Sequence, residues 1–451
     1  MAVYDDTIAA LASGSGQAGV AVIRVSGPAV PAICRALIGR LPEPRYAALA
    51  GFVDRHGQAI DHGLALYFEA PASFTGEHVL ELQGHGSPVL VDLLLSRLVE
   101  LGARLAGPGE FSQRAFFNDK LSLDQAEAIA DAISAGSQVS ARAAIRSLEG
   151  AFAREVDALV ESVLSLRIYT EAAIDFPDED DVDFLGDGEI RRRLDAIIAE
   201  LATLRAQAGQ GAGFRDGLRV VILGRPNVGK SSLLNRLARR ETAIVTEIAG
   251  TTRDVLHEQL AIDGLPLTLV DTAGLRETDD PVEAEGVRRA RAEIESADRI
   301  LLVVDDRRGV TEADRALLAD LDSQLGVTLI ANKIDLSGQA PGLDTWADRP
   351  VVRLAAIDGR GFEALADHLK SLIGLERDSE PAFVARRRHL AALDRASAAL
   401  AEGYERLMVD AAGDLLAEEL RVAQAALGEI TGQVTSEDLL GAIFSSFCIG
   451  K

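Results

Sequence analysis

Leu218–Arg240 reads LRVVILGRPNVGKSSLLNRLARR. A short, mostly β-branched run gives way to a loop with glycines at 224 and 229, and then to a helix-compatible segment that starts at Lys230, Ser231 and Ser232. That order suits an anion cradle: the glycines let backbone amides close on phosphate oxygens, and the helix N-terminus points positive partial charge at them. Lys230 neutralises the outer phosphates, and Ser231 offers its hydroxyl to a magnesium ion. Asn227, Val228 and Gly229 complete the cradle.

Outward from this loop, the apolar runs LTLVD, RILLVVD and VTLIAN alternate with helical stretches as far as about Gly374. Parallel strands need such crossovers, so residues 216–377 predict a doubly wound, mostly parallel α/β sheet. DTAG, Asp271 to Gly274 (with Thr272 and Ala273), closes a strand where a carboxylate holds magnesium through water and a glycine amide senses the terminal phosphate. GTTRD at Gly250–Asp254 supplies Thr252 as a second magnesium ligand, from a segment Thr246, Glu247, Ile248, Ala249, Gly250, Thr251 that wraps the nucleotide. NKID brings Asn332, Lys333 and Asp335. An Asp at that position accepts two hydrogen bonds from guanine that adenine does not offer, so the nucleotide is read as GTP.

These motifs in this order resemble the TRAFAC class of GTPases. Such proteins close the base pocket with Ser-Ala-Lys or Ser-Ala-Arg; here the positions are Ala355, Ala356 and Ile357. The Ala356 amide is still read as a guanine contact, but without the serine hydroxyl the loop's rigidity is in question. Leu275 stands where small signalling GTPases carry a water-orienting Gln. Asn227 with Thr246, Ile248 and Thr251 matches the subgroup in which potassium takes the place of an arginine finger.

Composition bounds the rest. At about 150 residues per domain, 451 residues suggest about three compact units. The longest apolar stretches, such as Val89–Val99, are broken by charge well short of the ~20 residues of a membrane span. MAVYDDTIAA lacks the basic cluster of a leader, and Cys34 and Cys448 have no ligand spacing, so the expectation is a cytoplasmic protein without disulfide or zinc. A formal charge of -24 by itself argues against a nucleic-acid partner, and the basic runs at 191–193, 288–289 and 386–388 read as solvated faces.

Residues 1–118 mix β-branched runs such as VAVIRVSGP (Val20–Pro28) with Gly and Pro turns, an α+β pattern. Helical spacing takes over in 119–213, opened by a Ser122–Gln125 capping box and the face Leu123, Ala126, Ile129, Ala130, Ile133. The Gly-rich stretch Ala208–Gly217 reads as a hinge, and residues 380–451 are helical again. The α/β unit is therefore inserted into an all-α domain.

SFTGEHVLELQGHG (Ser73–Gly86), PGEFSQRAFFNDKLSLDQAEAIAD (Pro108–Asp131), AAIDFPDED (Ala172–Asp180) and the ending FSSFCIGK resemble the MnmE (TrmE) family of tRNA-modification GTPases. The resemblance implies a homodimer with an N-terminal tetrahydrofolate-binding domain, working with the flavoprotein MnmG, which brings FAD and NADH, on the wobble uridine of tRNA. It implies folate contacts at Arg24, Glu81, Lys120 and Lys451, a functional thiol at Cys448, and a water-orienting acid at Glu283. His78 and His85 read as hydrogen-bonded structural residues. The residues alone leave open an RNA-binding GTPase that modifies nothing.

Overall fold

The computed structural model describes residues 4–175, 188–240, 257–262, 265–271, 294, 297–319, 325–373, 380–410, 412–434, 437–445 and 447–450. The chain divides into two compact units, one formed by Met1–Ala130, Leu148–Leu164 and Arg421–Lys451, the other by Asp131–Ser147 and Ser165–Leu420.

In the first unit, strands β1 (Thr7–Leu11), β2 (Ala18–Ser26), β3 (Ala48–Val53), β4 (Ala59–Phe68), β5 (Val79–Gly86) and β6 (Ala103–Leu105) form one sheet in the order β3-β4-β5-β2-β1-β6. All neighbours are antiparallel except β1 and β6. Alternation along the strands gives the sheet two different faces. Ile23, Val25, Leu80, Leu82 and Tyr67 face an apolar core shared with Ile33 and Leu37 of α1 (Val30–Ile38) and Leu94 and Leu98 of α2 (Pro88–Glu100). The intervening residues Arg24, Ser26 and Glu81 lie on the opposite face, where Ile8 and Ala10 pack against Phe111 of α3 (Glu110–Phe117).

Helix α4 (Leu123–Ser134) starts at the predicted capping box: the Ser122 amide donates to Gln125 Oε1 at 2.9 Å. Of the predicted face, Leu123 and Ala126 are fully buried and Ala130 packs beside them, but the face does not extend to the helix end. Ile133 is exposed, whereas Asp124, Glu127 and Asp131 are buried. Apolar periodicity does not foresee buried acids on the same helix, of which Asp131 is ion-paired to Arg215 and Arg386.

Helices α5 (Gln138–Leu148), α6 (Ala151–Asp175) and α7 (Glu189–Asp216) follow. The Gly-rich stretch is not a hinge. Helix α7 runs unbroken through it and stops only at Gly217, whose φ of 68° admits no ordinary side chain cheaply. The glycines inside serve close packing: a Cβ at Gly211 would stand 2.3 Å from the Phe383 carbonyl oxygen.

The second sheet is made of β7 (Leu218–Leu223), β8 (His257–Ile262), β9 (Leu265–Asp271), β10 (Arg299–Asp305), β11 (Val327–Asn332), β12 (Gly342–Trp346) and β13 (Arg349–Leu354), in the order β12-β13-β11-β10-β7-β9-β8. The five inner strands are parallel and the two edges antiparallel. Helices α8 (Lys230–Arg240), α9 (Glu312–Ala319), α10 (Ile334–Ser337) and α11 (Phe362–Leu372) belong to this α/β part. Separate apolar clusters on its two faces confirm the doubly wound arrangement. Helices α12 (Arg387–Asp410), α13 (Gly413–Thr431) and α14 (Glu437–Ser445) close the chain. Among the described residues no helix is long and apolar enough to cross a membrane.

Candidate functional site

The glycine loop stands where its sequence places it, between the end of β7 and the first turn of α8. A Cβ at Gly224 would lie 2.5 Å from the Val303 carbonyl oxygen, and one at Gly229 would lie 2.2 Å from Asn332 Nδ2. Neither position takes a side chain, because β10 and β11 press against the loop from below. Asn227 adopts φ 64°, turning the chain at the loop's crest. Lys230 Nζ donates to the carbonyls of Gly224 and Arg225 at 2.6 and 3.0 Å, so its ammonium lies inside the curl of the loop. Ser231 and Ser232 are exposed in the first turn of α8. A hydroxyl there is a hard oxygen donor of the kind magnesium prefers, and the residues fit that ion.

Asn332, Lys333 and Asp335 follow β11. Asn332 joins three segments: its Nδ2 donates to the Val228 carbonyl at 2.9 Å, and its Oδ1 accepts the Ala356 amide at 2.9 Å. Lys333 Nζ donates to the Asn227 carbonyl at 2.6 Å and to Asp305 at 3.0 Å. Arg307 grips the same carboxylate with two nitrogens, and those hydrogen bonds, helped by Lys333, hold Asp305 far below the usual carboxylate range. Asp335 is exposed beside them.

The loop Ala355–Ile357 is held by backbone hydrogen bonds. Ala355 is fully buried, its amide donates to the Arg360 carbonyl at 2.9 Å, and its own carbonyl accepts from Gly359 at 2.9 Å. Arg236 ties the Asp358 carbonyl from α8 at 2.8 Å. Of Ala355, Ala356 and Ile357, only Ile357 is exposed. Thr246, Glu247, Ile248, Ala249, Gly250, Thr251, Thr252, Thr272, Ala273, Gly274 and Glu283 lie outside the described residues, as does the side chain of Asp271.

In the first unit, Arg24 and Glu81 are register partners across β2 and β5 and bind each other, with guanidinium nitrogens 3.0 and 2.8 Å from Glu81 Oε1. Two residues expected as separate ligand contacts form one paired, half-buried unit. The rings of Phe74 and Phe111 lie 5.3 and 5.8 Å from the guanidinium. Lys120 is elsewhere, on the wall of a cavity of about 530 Å³ shared with Gly27, Pro71, Glu77, His78 and Asn118. Paired charge flanked by aromatic rings, with an ammonium near a cavity, suits a flat, anionic, donor-rich ligand such as a folate.

The chain's end packs against this unit. Ile449 bridges Pro108, Gly109 donates to the Cys448 carbonyl at 3.2 Å, and Phe447 is buried with Phe444. Gly450, at φ 95°, lies so close to Leu11 that a Cβ would stand 2.1 Å from its carbonyl oxygen. Cys448 is exposed, and Lys451 lies outside the described residues. His78 and His85 are hydrogen-bonded, to Tyr67 at 2.8 Å and Asp61 at 2.7 Å.

Sequence reading missed Arg114. It is fully buried, bonds to Asp6, Glu77 and Glu110, and lies 4.4 Å over the ring of Tyr4. Through Glu77 it reaches Ser26 at the end of β2. The only advance signal was Glu110 one helical turn before it. Arg386 was also misread: it is mostly buried against Asp131 rather than part of a solvated face. Arg192 and Arg193 do pair locally with Glu189.

Two family models match, "GTP-binding protein TrmE N-terminus" over residues 7–120 and "MnmE helical domain" over residues 123–448. The chain is 57% identical over 457 residues to the tRNA modification GTPase MnmE of Pseudomonas syringae pv. tomato, covering 100% of both chains. It is 54% identical to that of Proteus mirabilis, covering 99% of both, and 54% identical to that of Yersinia pseudotuberculosis serotype IB, again covering 99% of both. With models covering both of its ends and its middle, and full-length relatives at this identity, the chain belongs to the tRNA modification GTPase MnmE family.

Proposed function

We propose that this GTP hydrolase of tRNA modification is a potassium-stimulated enzyme. With the flavoprotein MnmG, it installs an aminomethyl or carboxymethylaminomethyl group at carbon 5 of the wobble uridine, using a tetrahydrofolate one-carbon donor. The observation that carries this reading is the presence, in one chain, of a phosphate loop tied to a base-reading motif by Asn332 and a separate sheet face bearing the Arg24–Glu81 pair.

In this reading Lys230 leaves the Gly224 and Arg225 carbonyls for the outer phosphates, and Ser231 and Thr252 ligate magnesium, with Asp271 behind them. Asp335 and the Ala356 loop select guanine. Asn227, Thr246, Ile248 and Thr251 hold potassium, which offsets charge between the outer phosphates. Glu283 orients the attacking water. Arg24, Glu81, Lys120 and Lys451 hold the folate, with Cys448 beside it; FAD and NADH come with the partner. The working form is a cytoplasmic homodimer joined by MnmG.

The test is reconstitution with MnmG, GTP, methylene-tetrahydrofolate and tRNA, followed by mass spectrometry of the nucleosides. Modified wobble uridine that depends on both GTP and the folate is the expected result. Active GTP turnover with unmodified tRNA would leave an RNA-binding GTPase instead.

A further inference from the structure

The α/β part enters the helical part through the end of α7 and leaves through residues 380–387. Both segments are strapped to the same short stretch of chain, Asp131–Ser147. Asp131, at the end of α4, is buried and accepts from Arg215 Nε at 2.8 Å and from Arg386 Nη2 at 2.7 Å on a single oxygen. Its second oxygen takes Arg386 Nε at 3.3 Å. Arg215 is the penultimate residue of α7, and Arg386 directly precedes α12. One carboxylate therefore holds the incoming and the outgoing connection together.

Helix α5 repeats the arrangement along its length. Ser140 Oγ donates to the Phe214 carbonyl at 3.2 Å on the incoming side. On the outgoing side Ser147 Oγ accepts the Val384 amide at 2.8 Å and lies 3.4 Å from the Val384 carbonyl, while Arg146 donates to the carbonyls of Pro381 and Ala382 at 2.6 and 2.9 Å. Ala143 and Ala144 pack on Val384 between these bonds. The two connections also touch each other, Gly211 against Phe383. A movement of the α/β part relative to its helices has to pass through these two segments. Neither can shift alone without breaking charge-assisted bonds to Asp131.

We propose that Asp131 is a positioning residue. Through Arg215 and Arg386 it converts rearrangement of the nucleotide domain into displacement of α4, the helix that begins just after Lys120. This rests on the reading that GTP hydrolysis drives the modification. It assigns the first joint of the transmission to one buried acid, and so predicts uncoupling rather than loss of hydrolysis when that acid is neutralised.

The experiment uses the full chain carrying Asp131→Asn, reconstituted with the flavoprotein partner, GTP, methylene-tetrahydrofolate and tRNA. Phosphate release and modified nucleoside are measured in the same reaction. GTP turnover should stay within about twofold of the parent chain, while modified nucleoside per GTP hydrolysed should fall about tenfold, the middle range of an intersite coupling. Arg386→Lys keeps the charge but removes the second donor and should show the same split to a lesser degree; it carries the test if Asp131→Asn does not fold. An unchanged ratio of product to GTP in either folded variant overturns the proposal, and so does a parallel loss of both activities. A parent chain that hydrolyses GTP without modifying tRNA removes the functional reading and this inference with it.

Discussion

The side-chain amide of Asn332 lies beneath the phosphate loop, 2.9 Å from the carbonyl of Val228. Because its other end accepts the Ala356 amide, one side chain sets the distance between the glycine loop and the Ala355–Ile357 loop. Asn332→Ala leaves two buried backbone groups unpaired, each costing about 1–3 kcal/mol. GTP and GDP should both bind roughly 10- to 100-fold more weakly, measured by titration with a fluorescent analogue. Unchanged affinity for both would show the tie to be incidental.

Asp335→Asn should exchange guanosine for xanthosine nucleotides, because the side chain's two acceptors become one acceptor and one donor, which suits a base carrying a carbonyl in place of guanine's exocyclic amine. The competition between GTP and XTP for the same site reads this directly. A variant that keeps its GTP preference would remove Asp335 from base recognition.

Replacing sodium by potassium at constant ionic strength should raise GTP turnover at least about tenfold, since charge stabilisation at the transferred phosphate is lost with the wrong cation. Asn227→Ala should abolish most of that difference. Equal rates in the two salts count against the cation.

His368 on α11 is buried, with Nε2 2.8 Å from Thr328 Oγ1. Burial, and secondarily the nearby Arg299, push its imidazole down from 6.5 to about 4. The unfolded ring takes its proton near pH 6.5 and the folded ring only near 4, so the stabilisation is complete above the first value and drains away as pH falls toward the second. Between pH 7 and pH 5 the loss is about 2 kcal/mol. Trp346, the sequence's single tryptophan, is on β12 of the same sheet, so its fluorescence during urea unfolding reports this domain. His368→Gln should flatten the pH dependence, and an identical slope in the variant would place its origin elsewhere.

Gly450→Ala should dislodge the C-terminal tail, as the new methyl would collide with Leu11 in a backbone conformation that already disfavours it. Calorimetry with a tetrahydrofolate should show weaker binding while intrinsic GTP turnover is unaffected. Full affinity in the variant would separate the tail from the ligand.

What could be read in advance follows a physical division. The strand–loop–helix order around Gly224 and Gly229, and the capping box at Ser122 and Gln125, are local and were legible. The Arg24–Glu81 pairing depends on strand register, and the Asp131–Arg215–Arg386 contact joins residues far apart in sequence, so neither leaves a local trace. The glycines of α7 misled for a related reason. Their small size serves a partner segment at Phe383 and Ile373, which the chain reaches only much later.

The pairing of Pro108 with Ile449 closes a loop of about 340 residues. Contacts that distant form late, because the chain between them must first surrender its freedom. The six-stranded sheet should therefore assemble early from its own hairpins, and its last covering strip should arrive at the end, once the nucleotide domain and its helices have organised. A refolding trajectory followed by tail-specific labelling would then show vitamin affinity appearing only after the sheet itself is protected.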